Sequence, residues 1–259
     1  MYYETVDNFA ALSIAKKTHF EKSFFSYLTE SVLAGVYVGF GIILIFSVGS
    51  PLAAANAPIV NLVMGLSFGI ALTLVVFAGS ELFTGNNLCM MIGTLEKKVG
   101  WKDLLNVWIW SWAGNFLGSI GLAILVLFSG VMNSKADFVT QVARLKMQLP
   151  WHELFFRAVL CNWLVCLAIW TSSRTRNDAA KCILIFWCLF AFIACGFEHS
   201  VANMTLLPLA LLLPHPATVT WLGLCKNISV VSLGNIIGGA FCVGWLYWNT
   251  SRLKHNPIG

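Results

Sequence analysis

Gly196-Phe197-Glu198-His199-Ser200-Val201-Ala202-Asn203 is the stretch whose reading decides the fold. It lies inside a hydrophobic run from Cys182 to Leu213, longer than the ~20 residues that cross a bilayer. A carboxylate and an imidazole side by side at that depth cost several kcal/mol unless they face a cavity or a protein interior. Gly196 ahead of them offers a place for the helix to unwind. Irregular backbone survives inside a membrane only where it is buried in protein or lines a cavity. A Glu–His pair that merely ties helices together is the plainer reading. The adjacent break favours a solute pathway.

Composition sets the frame. The chain has 259 residues, 58% hydrophobic and 10% charged, with a mean hydropathy of +0.79. These values describe an all-α integral membrane protein, a single transmembrane pore domain over 1–259, with no sizeable water-soluble domain. The first 22 residues are polar, carry Lys16, Lys17 and Lys22, and lack a small-residue cleavage site, so no removable signal peptide is expected. The net charge of +5 sits in short loops, which points to membrane orientation and not to nucleic acid. Eight cysteines lie within or beside apolar segments without C-x-x-C spacing, so they read as packing residues. No metal or cofactor is expected.

Hydropathy gives six spans. An amphipathic lead-in over 1–22 is expected along the membrane surface. Span one runs from Phe24 to Val48 and is ended by Gly49-Ser50-Pro51. Span two begins near Ile59 and is interrupted at Gly79-Ser80-Glu81-Leu82-Phe83-Thr84-Gly85-Asn86-Asn87, with breaks expected at Gly79 and Gly85. Span three covers Leu104 to Val131, and a long polar connection, Asn133 to Leu149, follows. Span four is Trp151–Thr171, span five is the interrupted run around Gly196, and span six is Val219–Trp248. A short basic tail occupies 250–259. Six spans put both termini on one side. That side carries eleven Lys and Arg residues against three (Lys135, Arg144 and Lys146) on the other, so the termini are expected in the cytoplasm.

The two interrupted spans match each other. Gly79-x-Glu81-x-x-x-x-Asn86 recurs as Gly196-x-Glu198-x-x-x-x-Asn203, offset by 117 residues. Gly114-Asn115-x-x-Gly118 recurs as Gly234-Asn235-x-x-Gly238, offset by 120, and Val32-Leu33-Ala34-Gly35 as Val159-Leu160-Cys161-Asn162, offset by 127. Three matches in one order imply an internal repeat over 23–131 and 150–249. With three spans per half, the halves run in opposite directions and meet near the midplane.

These residues resemble a known family. Ser80-Glu81-Leu82-Phe83-Thr84-Gly85, Leu160 to Ala168, Gly196 to Met204 and Leu233 to Gly239 are similar to the formate/nitrite transporter family, span for span over the whole chain. Phe40 to Phe46, Gly69 to Val75 and Asn162-Trp163 bring it nearest the nitrite-conducting branch. The resemblance implies an aquaporin-like inverted 3+3 repeat, a homopentamer in the bacterial inner membrane, and one pore per protomer. It implies a pathway through His199, Thr84, Lys146, Glu198, Asn162 and Asn235. Hydrophobic constrictions fall on Phe68, Leu72, Phe83, Val165 and Phe192.

The resemblance implies a small weak-acid anion, nitrite first and formate second, and the chemistry of these residues suits one. Lys146 draws anions to a mouth, apolar rings exclude hydrated ions, and His199 hydrogen-bonds to the anion or hands it a proton. An aquaporin-type neutral pore is disfavoured because the paired Asn-Pro-Ala signatures are absent. An enzyme is not expected: a hydrolytic dyad of His199 with Ser80 or Ser200 has no Gly-x-Ser-x-Gly elbow. A haem subunit would want paired core histidines, and only His199 qualifies.

Overall fold

A computed structural model describes residues 2–252. The part of the basic tail beyond Arg252 lies outside the described residues. Helices account for nearly all the rest: α1 (Tyr3–Lys22), α2 (Phe24–Ala54), α3 (Val60–Ser67), α4 (Ile70–Leu74), α5 (Phe83–Leu95), α6 (Trp101–Ser129), α7 (Ala136–Gln148), α8 (Trp151–Ser172), α9 (Asp178–Ala194), α10 (Ser200–Leu212), α11 (Trp221–Ile236) and α12 (Leu246–Arg252). Two π-helical stretches, Val75–Gly79 and Ile237–Trp245, continue α4 and link α11 to α12. Among the described residues, five stretches are long and apolar enough to cross a membrane: Phe24–Ala54, Val60–Gly79, Trp101–Ser129, Trp151–Ser172 and Trp221–Ser251.

Two helix pairs form the frame, α2 against α6 and α8 against α11. Glycines set both crossings. A Cβ at Gly118 would fall on the carbonyl of Val32, and one at Gly238 on the carbonyl of Val159. Small residues let backbones approach where lipid gives no hydrophobic drive for association.

Three features differ from the sequence reading. Gly49-Ser50-Pro51 does not end the first long helix, which runs on to Ala54. Pro51 falls in its last turns, where the bond it withholds from the Ser47 carbonyl weakens only the end of the helix. The polar connection 133–149 contains α7, which buries Val139, Thr140, Ala143 and Met147 at helical spacing. The lead-in is helical, but part of its apolar surface faces protein: α1 buries Val6, Phe9 and Ala10, chiefly against α5, while Leu12 and Ile14 stay exposed.

An aromatic clasp holds α1 down. Phe9 stacks on Trp170 with ring centroids 5.5 Å apart, and Trp170 stacks on Tyr247 at 4.4 Å. Tyr2 meets Tyr247 edge-on at 5.5 Å, with the Arg174 guanidinium 4.9 Å from the Tyr2 ring. Such pairs each contribute about 0.5–1.5 kcal/mol beyond the area they bury.

Candidate functional site

Two non-helical linkers, Ser80–Leu82 and Cys195–His199, face each other across the centre. Each opens on a left-handed glycine, Gly79 at φ +78° and Gly196 at φ +70°. A side chain at either position would be strained. Gly85, expected to break the helix, instead lies in the first turns of α5. Once Gly79 has turned the chain, extended Leu82 leads straight into the helix, and Gly85 serves a close approach by Ile169.

The linkers are braced alike. Asn115 accepts from the Phe83 amide at 2.9 Å and donates to the carbonyls of Ser31 (2.7 Å) and Glu81 (2.9 Å). Asn235 accepts from the Ser200 amide at 2.8 Å and donates to the carbonyls of Ala158 (2.8 Å) and Glu198 (3.0 Å). The Glu81 amide donates to the Glu30 carbonyl at 3.2 Å, and the Glu198 amide to the Arg157 carbonyl at 3.3 Å. Backbone groups released by each break thus find partners, as buried ones must.

Both glutamates are paired. Glu198 is 2% exposed; it accepts from Lys146 Nζ at 2.7 Å and from Asn203 Nδ2 at 2.6 Å. Asn227 holds the Lys146 carbonyl at 3.2 Å and also receives a hydrogen bond from Asn203 at 2.8 Å. On the opposite face Lys16 Nζ donates to both Glu81 oxygens, at 2.7 and 2.8 Å, and Asn86 Nδ2 donates to Glu81 at 3.0 Å. Burial alone would lower the Lys16 ammonium, but Glu81 outweighs it and holds the group above its ordinary value. Sequence reasoning missed Lys16 as a site residue. Its partner is 65 positions away, and beside Lys17 and Lys22 it reads as an orientation charge.

Three cavities lie in series. One, about 200 Å³, is bordered by Lys146, His199, Asn203, Phe192 and Gly196. The second, about 10 Å³, is bordered by Val38, Phe68, Leu72, Leu82, Val165 and Phe192, with His199 at its edge. The third, about 410 Å³, is bordered by Lys16, Leu82, Gly79, Asn86 and Lys181. His199 and Phe192 are shared by the first pair and Leu82 by the second. Phe68 and Phe192 meet edge-on at 5.4 Å beside the neck.

At the neck, His199 is 4% exposed and its ring lies over that of Phe192 at 5.9 Å. It is the N-cap of α10: Nδ1 accepts from the Ala202 amide at 3.1 Å. A ring nitrogen that accepts carries no hydrogen, so the neutral ring is assigned the Nε2–H tautomer. Nε2 sits 3.1 Å from Thr84 Oγ1.

Of the residues expected to form the pathway, Phe68, Leu72, Val165, Phe192, His199 and Lys146 border these cavities. Phe83 borders none of the three; its neighbour Leu82 does. Asn162 and Asn235 also stand behind the path. Asn162 Nδ2 reaches the Thr84 carbonyl at 3.2 Å, Asn87 Oδ1 at 3.1 Å and the Asn235 carbonyl at 2.7 Å. These amides are spent on the backbone that carries Thr84 and Ser200.

Two lysine-bearing vestibules joined by an apolar neck, within an all-helical membrane protein, define a transmembrane pore for small solutes. Residues 4–249 match the family model described as formate/nitrite transporter. The nitrite transporter NirC of Escherichia coli (strain K12) is 40% identical over 260 residues, covering 100% of this chain and 96% of that one. A solved FNT family ion channel superposes with a TM-score of 0.91 at 40% identity, over 95% of this chain and 98% of that chain. A solved pentameric formate channel with formate bound gives 0.79 at 26%, over 90% and 99%. The chain belongs to the formate/nitrite transporter family, a family of transporters and channels.

Proposed function

We propose that this protein conducts nitrite, or another small monovalent weak-acid anion such as formate, through a pore in each protomer of a homopentamer in the bacterial inner membrane. The observation that carries the reading is the neck itself, where a buried imidazole is the polar group at an otherwise apolar constriction, with the Thr84 hydroxyl directly behind it on Nε2. A dry ring penalises a charged ion heavily. The anion enters along the field of Lys146 or Lys16 and reaches Thr84 and His199. With Nε2–H turned toward Thr84 Oγ1, the hydroxyl hydrogen is left for the anion. Protonation at Nδ1 would break the cap to Ala202, so His199 acts first as a hydrogen-bond donor and gives up a proton only with local rearrangement. Glu198 acts through Lys146, and Asn162 and Asn235 hold the backbone in place.

The same reading makes the fold an inverted 3+3 repeat of six spans. Val60–Leu95 forms a second span broken at Gly79, and Asp178–Leu212 a fifth broken at Gly196. The supporting observations are the matched braces, Asn115 to Ser31 and Asn235 to Ala158, which keep the offsets of 120 and 127 seen in the sequence. A short helix bearing a vestibule lysine, α1 or α7, precedes each half. The Lys and Arg balance puts both termini in the cytoplasm, so Lys16 guards that mouth and Lys146 the outer one. The particular substrate draws support from the 40% identity to NirC, and formate from the bound formate channel.

The test is flux into liposomes with nitrite, formate and chloride in parallel while internal pH is recorded. Nitrite and formate are expected to move with a pH change and chloride to be excluded. Chloride passing as fast as nitrite would defeat the reading.

A further inference from the structure

The two mouths are chemically unequal. Both vestibules are bordered mainly by apolar side chains, but the 200 Å³ one holds a single ammonium, Lys146. The 410 Å³ vestibule has two, Lys16 and Lys181, together with Ser80, Ser172, Ser173 and Asn86. Lys181 has no part in the conduction path set out above.

These groups are not equally committed. Lys16 is clamped by both oxygens of Glu81. Lys181 pairs at 2.8 Å with Asp178, three residues earlier on the same helix, and that carboxylate is 71% exposed. Exposed pairs of this kind contribute little, so the ammonium can turn into the cavity at small cost. Ser80 Oγ is buried with no hydrogen-bond partner among the described residues. The hydroxyls of Ser172 and Ser173 rest on carbonyls of their own helix, at 3.1 and 2.7 Å, and are free to rotate outward.

We propose that the wider vestibule is a binding site for a free divalent oxyanion of the sulfate or phosphate class, which blocks the pore from that side. The Lys181 ammonium, the remaining N–H of Lys16 and several hydroxyls supply donors to match four acceptor oxygens. Lys16 and Glu81 cancel each other's charge, so the positive charge at the site is that of Lys181, whose partner Asp178 is dispersed in solvent. Such an ion stops at the neck. Desolvation is costlier for two charges than for one, and a single added proton still leaves sulfate or hydrogen phosphate charged. The opposite vestibule, with Lys146 alone and bound to buried Glu198, lacks the second ammonium.

The functional arm of this inference rests on the transport reading, but the binding arm does not. Full-length protein in detergent is melted with sodium sulfate, with sodium phosphate, and with sodium chloride at matched ionic strength, as wild type and as Lys181→Gln. Nitrite flux is then followed in liposomes with and without sulfate. Sulfate is expected to raise the wild-type Tm above the chloride value and to raise the half-saturation for nitrite without changing its maximum. Lys181→Gln should weaken both effects about tenfold, the value of one charge-assisted hydrogen bond, and leave uninhibited flux unchanged. Equal sulfate effects in the two proteins, or equal effects of chloride, would overturn the site. A further arm adds anionic phospholipid to the micelles. A shift dependent on Lys181 there but not with sulfate would assign the groove to headgroups and also overturn it. If nitrite does not move even without sulfate, the transport reading fails and the melting arm alone decides this one.

Discussion

Replacing His199 separates two jobs the structure gives one side chain. Nδ1 caps α10 through the Ala202 amide, and Nε2 meets Thr84 at the neck. Asparagine is among the best N-caps and alanine among the poor ones, with the exchange costing about 1 kcal/mol. Both His199→Asn and His199→Ala lose the contact with Thr84, which contributes a further ~0.5–1.5 kcal/mol. Alanine also leaves a gap against the Phe192 ring. The alanine variant is therefore expected to melt below the asparagine variant by at least about 1 kcal/mol, or roughly 2–4 °C for a chain of this size. Conduction should divide differently. Neither substituent can carry a proton across pH 5 to 8, so both should lose proton-linked nitrite uptake, whatever their stability. The assay is the Tm in detergent, then nitrite flux with internal pH in liposomes, for the three proteins side by side. Equal flux and equal pH dependence in wild type and His199→Asn would reduce His199 to a helix cap. Equal melting of the two variants would remove the cap.

Lys146→Ala strands a buried carboxylate, so it should cost about 3–5 kcal/mol of stability, and adding Glu198→Gln should recover part of it in thermal melts. Lys146→Arg should keep both fold and flux, and a large loss of either would argue against a simple field source. Asn115→Ala leaves the Phe83 amide without its acceptor and two carbonyls without their donor; a Tm close to wild type would refute its role as a brace. Gly118→Ala forces a methyl onto the Val32 carbonyl and should cost ~1–3 kcal/mol. Gly121→Ala on the same helix meets nothing within 4 Å, so its Tm should hold or rise.

The central break was legible because ionisable residues are rare at membrane depth, and Glu198-His199 behind a glycine leaves few other readings. The pairing of Asn115 with Asn235 could be suspected from spacing alone. Their task could not, since an amide in an apolar helix is as suited to touching a solute as to holding a carbonyl. Here the released backbone of each linker claims it. Lys16 stayed hidden for another reason: a lysine in a polar lead-in looks like any charge at a membrane surface until α1 is folded over Glu81. The helix α7 was concealed by its charges, which dominate a hydropathy trace although one face is buried. Leu82 in place of Phe83 is a matter of one residue of turn, set by the extended backbone that leads into α5.

The clasp of Phe9, Trp170 and Tyr247 has a consequence for how the molecule is made. Its parts come from the start, the middle and the end of the chain. At about 5–20 residues per second, Tyr247 is synthesised roughly 10–50 s after Phe9. Until then α1 can rest on α5 and pair Lys16 with Glu81, but the aromatic side of its seat is missing. The ring of Tyr247 is therefore the last piece of the clasp on α1 to be made, and a chain cut before it lacks that contact.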